Sequence, residues 1–159
     1  MKDEISFLAK RLENEGQKVM TFFSAVTGTQ RGKGIYFGID DWDVKDIIAH
    51  FVSSEKSFLL LFENIRNGGQ GAEIGFDKDN FNNREVKKLK EYSIESLLAE
   101  FSQTRRQMVE WVSRLKETDL QKTGNHPAIG STTLIAMIRM VYIHNSMHMR
   151  DVSQSLGLK

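Results

Sequence analysis

Apolar residues recur at three- and four-residue spacings in four separate stretches of the chain, and glycine closes three of them. The first stretch runs from about Asp3 to Thr27 through Ile5, Leu8, Leu12, Val19, Phe22, Phe23 and Val26, and Gly28 stands where a helix C-cap is expected. The second opens on "DWDVKD". Asp43 is placed to cap the free amides with Asp46 three residues on, and Trp42 and Ile47 occupy the two hydrophobic-staple positions. Its stripe continues through Phe51, Phe58, Leu61, Phe62 and Ile65 to Gly68. The third starts at an N-cap on Ser93 and reaches Leu115 through Leu97, Phe101, Met108 and Val112. The fourth starts at Ser131 or Thr132 and runs through Leu134, Met137, Ile138, Val141, His144, His148 and Val152 to Gly157.

Each stretch is about 25 residues, or roughly 37 Å at helical rise. No stretch sustains the alternation of a strand. Four matched amphipathic helices bury their stripes most simply as a bundle, so the expected class is all-α, a four-helix bundle. No second domain, repeat or low-complexity tract is visible, and residues 1–159 read as one domain. The connection from about Asn67 to Tyr92 is long for a bundle. Its "NGGQGAEIGFDKDN" half reads as loop, and "NREVKKLKEY" as a short extra helix.

Composition narrows the chemistry. Lysine and arginine number 22 against 21 acidic residues, a formal net charge of +1 spread along the chain. That pattern offers no electrostatic footprint for nucleic acid or an anionic membrane surface. There is no apolar run of about 18 residues to span a membrane, and "MKDEISFLAKRL" is charged rather than secretory, so a cytoplasmic protein is expected. Without cysteine, any metal must be held by His, Asp or Glu.

The fourth stretch gives two inward positions to imidazoles in "YIHNSMHMRDV". His144 and His148, four residues apart, project from one helical face and can chelate one ion. His50 lies on the line of Ile47, Ser54, Phe58 and Leu61 in the second helix, which turns it inward. A third imidazole from a neighbouring helix completes a three-His site with open positions, the arrangement of catalytic zinc. Height along the bundle tests the idea. His50 is about 10 Å from the start of its helix and His148 about 12 Å from the end of its own. They meet only if these helices are antiparallel, as in an up-down-down-up order. That order needs a long crossover between the second and third helices, where the longest connection falls.

Other residues carry alternatives. Asp151, three residues after His148, is a candidate to orient a ligand histidine from behind, or pairs with surface cations. Asp46 is better read as the helix cap. His126 in "GNHPAIGS" reads as a turn or surface residue. Gly16 leaves room for a substrate above the metal or marks a close helix contact. Thr104 and Arg105 break the third stripe and either face the cavity or, for Arg105, reach out to solvent. Met137, Met140, Met147 and Met149 read as adaptable packing. Position 145 is asparagine, so the glutamate of the HExxH metalloprotease helix is missing. The four-glutamate pattern of di-iron bundles is absent too.

"WDVKDIIAHFVSSE" (42–55), "FNNREVKKLKEYSIESLLAEF" (81–101) and "HPAIGSTTLIAMIRMVYIHNSMHMRDV" (126–152) resemble, in order, three parts of DinB/YfiT-like proteins. These are the start of the second helix with its metal histidine, the crossover with the third helix, and the last loop and helix with its closing H-x-x-x-H. The resemblance implies an up-down-down-up bundle, often a homodimer, with a divalent metal on the residues matching His50, His144 and His148. Some members of the family depend on a low-molecular-weight thiol, the bacillithiol S-transferases and mycothiol-dependent maleylpyruvate isomerase among them. The expectation is a metal-dependent thiol transferase or hydrolase acting on a small electrophilic molecule. Zinc or nickel leads among the ions, with iron and manganese also in range, since imidazole suits several metals. The rival from another class is a non-catalytic protein that binds a metal or small molecule under stress; a structural bundle with an incidental site is the third reading.

Overall fold

The computed structural model describes residues 2–38 and 41–158. Four long helices carry it: α1 (Lys2–Ser24), α2 (Val44–Arg66), α4 (Ile94–Ser113) and α6 (Leu134–Leu156), with the shorter α3 (Lys78–Lys88) and α5 (Glu117–Leu120) between them. Two small antiparallel hairpins complete it. Strands β1 (Gly34–Tyr36) and β2 (Trp42–Asp43) pair before α2, and β3 (Thr123–His126) and β4 (Gly130–Thr133) pair before α6.

Capping chemistry sets the helix starts. The Asp43 carboxylate accepts from the Asp46 amide, and the Asp46 carboxylate accepts from the Asp43 amide, each at 3.0 Å, so orphan donors at both positions are satisfied. Ser93 caps α4 on the Ser96 amide. At the other end of α6, Gly157 takes the left-handed conformation (φ 68°) and closes the helix.

Pairs between helices give their directions. Along α2 and α4, Lys56 meets Glu100, Glu55 meets Arg105 and Glu63 meets Trp111, so both helices run the same way. Along α1 and α6, Glu4 meets Arg139 and Arg11 lies over Tyr142. His50 near the start of α2 meets His144 and His148 near the end of α6, so these two are antiparallel. The order is up-down-down-up, and α3 sits in the long crossover it requires.

The apolar stripes form two clusters stacked along the bundle. One holds Val19, Phe23, Ile47, Phe51, Leu97, Phe101 and Val152; the other holds Leu8, Leu12, Phe62, Ile65, Met108, Val112 and Ile138. A buried polar layer is interposed. Arg105 of α4 donates through Nε to Glu55 Oε2 (3.0 Å), through Nη2 to Glu55 Oε1 (2.5 Å) and Asn145 Oδ1 (2.6 Å), and through Nη1 to the Leu12 carbonyl (2.8 Å). One guanidinium thereby reaches all three other long helices. A Cβ on Gly16 would stand 2.7 Å from Arg105 Cγ, so only glycine lets α1 approach this layer.

Several local expectations need correction. Arg105 does not reach solvent; it is buried on a carboxylate, an amide and a carbonyl, and full pairing is what makes that burial tolerable. Helix α1 ends at Ser24 rather than Thr27, and Gly28 opens a short 3-10 turn (Gly28–Gly32) instead of capping α1. The crossover helix begins at Lys78, five residues ahead of the expected "NREVKKLKEY", because Asp77 caps it on the Asn80 amide. The cap of α6 is Thr133, the last residue of β4, whose hydroxyl accepts from the Ala136 amide. The hairpins and α5 were not expected: their strands are two to four residues long, too short for alternation to register. Met147 is exposed rather than packed.

Replacing Arg105 with Met leaves Glu55 buried without its cation, and stability should fall by about 3–5 kcal/mol. Adding Glu55→Leu should recover most of the loss. Breaking the exposed Lys56–Glu100 pair should cost at most about 1 kcal/mol. Urea denaturation of the three variants beside the unaltered protein checks the ranking; equal losses for the buried and exposed pairs would contradict it.

Candidate metal centre

Antiparallel packing of α2 and α6 brings three imidazoles to one point. His144 Nε2 lies 2.9 Å from His50 Nε2 and 3.0 Å from His148 Nε2. The three histidines form the one group of potential metal ligands found among the described residues, with donor atoms all within 4.8 Å of one another. Phe51 packs against all three rings at centroid distances of 5.7 to 6.4 Å, and Trp42 leans on His50 at 5.0 Å.

What stands behind each ring decides which nitrogen faces the centre. The Tyr36 hydroxyl lies 2.7 Å from His148 Nδ1 and 2.5 Å from Asp151 Oδ2. A carboxylate only accepts, so Tyr36 donates to Asp151 and its oxygen accepts from the His148 Nδ1–H. The proton of His148 therefore sits on Nδ1, and its Nε2 lone pair points inward. Ser54 Oγ is 3.3 Å from His50 Nδ1, on the side of that ring away from the centre. Burial raises the Tyr36 phenol above its ordinary value, with the Asp151 hydrogen bond adding to the effect, and this keeps the donor protonated.

All three imidazoles are held neutral. Burial pushes His50 well below the usual imidazole value, and the neighbouring His144 and His148 add to that. Burial also takes His144 down to about 3, with help from His148. His148 is lowered by burial against a weaker opposing pull from Asp151. Neutral imidazoles with converging lone pairs are the ligand form. Spacings of 2.9 and 3.0 Å allow one shared ion about 2.1 Å from each nitrogen. The residues present fit a divalent cation.

The triad forms part of the wall of a cavity of about 790 Å³. Tyr36, Trp42 and Phe58 border it from the hairpin and α2, and Phe76 and Phe81 from the crossover. The crossover is tied down by Asn125 of β3, whose carbonyl accepts from the Ala72 amide at 2.8 Å and whose amide donates to the Gln70 carbonyl at 2.7 Å.

Other sequence candidates fall in different places. Asp151 reaches His148 through Tyr36 rather than directly. Asp46 is the cap of α2. Gly16 lies away from this cavity, in a separate hollow of about 230 Å³ beside Arg105 and Phe101, so of its two readings the close helix contact holds. Thr104 is buried and donates to the Phe101 carbonyl within α4, and it lines neither of these two hollows. His126 was expected at a turn or on the surface, yet it is only 5 % exposed and lines the cavity of the triad. Tyr36 was missed altogether: no periodic pattern surrounds it, and only the β1–β2 hairpin carries it to a residue 112 positions away.

Comparison with known proteins accords with this geometry. Residues 29–152 match the model of the DinB superfamily. YfiT from Bacillus subtilis, described as a probable metal-dependent hydrolase with an unusual four-helix bundle topology, superposes with a TM-score of 0.79 at 17% identity, over 100% of this chain and 91% of its own. The mycothiol-dependent maleylpyruvate isomerase gives 0.72 at 13% identity; 96% of this chain is covered and 60% of that one. The colibactin self-resistance protein ClbS, solved with a double-stranded DNA, gives 0.67 at 15% identity over 96% and 95% of the two chains. No curated protein matches the sequence significantly. The chain belongs to the DinB superfamily.

Because folding depresses these histidines, the unfolded chain takes up protons first as pH falls. Stability of the metal-free protein should therefore be full above about 6.5 and decline as pH drops from there towards about 3. Chemical denaturation across that window measures it. A metal-free protein that grew more stable between pH 7 and 5 would contradict the buried neutral triad.

Proposed function

We propose that this member of the DinB superfamily is a metal-dependent enzyme, a thiol transferase or hydrolase acting on a small electrophilic molecule. The observation that carries the reading is the convergence of three Nε2 atoms, from buried His50 and half-buried His144 and His148, in the wall of a large cavity. His50, His144 and His148 would hold one divalent cation, with zinc or nickel the ions first to test and iron or manganese after them. A bound cation lowers the pKa of water or of a low-molecular-weight thiol and so supplies a nucleophile near neutral pH.

The chain's own residues do the rest. Asp151, acting through Tyr36, holds the His148 proton on Nδ1 and fixes the ring's orientation. Ser54 steadies the His50 ring through its Nδ1. Trp42 and Phe51 keep the rings from turning away. The aromatic walls offer the reacting molecule apolar surfaces to pack against. Among the described residues that line the cavity, no side chain stands out as a general base ahead of the triad, which leaves activation of the nucleophile to the site itself.

The descriptions of YfiT as a probable metal-dependent hydrolase and of the isomerase as mycothiol-dependent support the two reaction classes. On the same reading the chain works as one domain, in a homodimer, in the cytoplasm. No helix among the described residues is long and apolar enough to cross a membrane. ClbS was solved with DNA, but the net charge here is +1, and a small molecule suits a cavity of about 790 Å³ better than a nucleic acid.

Purified protein should carry about one divalent ion per chain by elemental analysis. His144→Ala and His148→Ala should abolish tight binding; either variant retaining the ion at unchanged affinity would refute the assignment. Tyr36→Phe, which keeps the ring and removes the link to Asp151, should weaken metal binding by about 10- to 100-fold. The metal-loaded protein should accelerate thiol conjugation or hydrolysis of small electrophiles, with the rate lost on chelation and restored by added metal. A panel of thiols, electrophiles and esters giving no metal-dependent turnover would leave the non-catalytic binding protein as the better reading.

A further inference from the structure

His126 carries a buried hydrogen-bonding atom that the fold does not use. Its Nδ1 accepts from the Ala128 amide at 3.1 Å, so the proton of the neutral ring belongs on Nε2. That Nε2 is buried and is the one such side-chain nitrogen or oxygen among the described residues without a hydrogen-bond partner. Leaving a buried donor unmatched costs about 1–3 kcal/mol, which a phenylalanine of similar shape would avoid. The ring is held flat against Phe58, centroids 5.5 Å apart and planes 27° from parallel, and Phe58 in turn borders His144 at 6.1 Å. His126 thus belongs to the same cavity wall as the triad.

The rest of the cavity defines what could meet that donor. Its faces are aromatic, from Tyr36, Trp42, Phe58, Phe76 and Phe81. Among the described residues no arginine lines it, and the one lysine, Lys78, is already paired with Asp79 at 2.7 Å. Glu73 adds a further carboxylate at the mouth. Apart from the ion that the triad would hold, an anionic molecule would meet only Lys78 among the described cations of the lining, whereas a flat apolar one finds stacking surfaces on several sides. A volume of about 790 Å³ suits a molecule of two or three rings.

We infer that the cavity takes an uncharged aromatic molecule bearing a hydrogen-bond acceptor, and that His126 Nε2–H meets this acceptor and sets the molecule's orientation beside the triad. This rests on the proposed function for the triad's role and adds the substrate class. Reaching Nε2 takes a displacement of the wall, since the atom is closed off from water. His126 acts here as a specificity-determining residue and holds no metal.

Fluorescence titration tests this with prodan, a neutral naphthalene carrying a ketone, dimethylaminonaphthalene, the same ring system without it, and anilinonaphthalene sulfonate, an anionic relative. Protein is used as isolated and again after metal removal by a chelator. Wild type should bind prodan at one site and more tightly than the sulfonate. His126→Phe, which preserves the stack on Phe58, should weaken prodan by about five- to tenfold and leave dimethylaminonaphthalene unchanged, with metal content intact. His126→Gln, which keeps an N–H donor, should restore part of the prodan affinity. In wild type, the His126 Nε2–H resonance should shift with prodan and not with dimethylaminonaphthalene, a readout that does not depend on any variant folding. Tighter binding of the sulfonate, equal weakening of both neutral probes, or a ketone preference that vanishes with the metal would each overturn the inference. Absence of metal from a protein that still shows the ketone preference would sink the proposed function and leave this inference standing.

Discussion

Three imidazole nitrogens within 4.8 Å of one another, with His144 Nε2 about 3 Å from each of the other two, are the arrangement around which the rest of this molecule is organised. Protonating any of them would place a charge beside its neighbours in a buried setting, so the rings stay neutral and their lone pairs crowd a common point. Two of them share one face of α6, but the third can arrive only from a helix running the other way. The antiparallel crossing of α2 and α6 follows from that, and so does the long crossover that the up-down-down-up order needs. The crossover then becomes one wall of the cavity, with Phe76 and Phe81 facing the side on which the triad opens. Topology and site are one constraint here.

The Arg105 layer supplies the rigidity such a site requires. An ion pair buried this deeply is not an efficient source of stability, because desolvation offsets most of the attraction. Its value lies in geometry. From α4 the guanidinium fixes Glu55, five residues after His50, and Asn145, the residue next to His144, so the two ligand-bearing helices are held in register. The contact with the Leu12 carbonyl brings α1 into the same lock, at the point where Gly16 permits close approach. In the sequence, Arg105 and Asn145 look like interruptions of apolar stripes. In the fold they occupy one polar plane between two apolar clusters.

Periodicity made the four long helices legible, together with the caps at Asp43, Ser93 and Gly157, because those signals are local. The convergence of His50, His144 and His148 was legible for a different reason: helical rise converts residue number into height, and only one topology matches the heights. Non-local features were hidden. Tyr36 joins His148 through a hairpin of two very short strands, and His126 is drawn inward by a hairpin and a stack on Phe58, with no periodic pattern to announce either. Arg105 was misread because one sequence cannot distinguish a cation reaching out from one whose carboxylate waits on another helix. The boundary errors at Ser24, Lys78 and Thr133 arose where a short strand, turn or competing cap outweighed the helical pattern.

The central claim is that His50, His144 and His148 share one ion and leave part of its coordination shell to small ligands. X-ray absorption spectroscopy of the metal-loaded protein tests it most directly, because outer-shell scattering from imidazole rings reports how many histidines bind. The account predicts three imidazole nitrogens at about 2.1 Å with the remaining positions filled by light oxygen or nitrogen scatterers, and two imidazoles when His50 is replaced by alanine. A shell with fewer than three imidazoles in the unaltered protein, or one unchanged by the loss of His50, would contradict it.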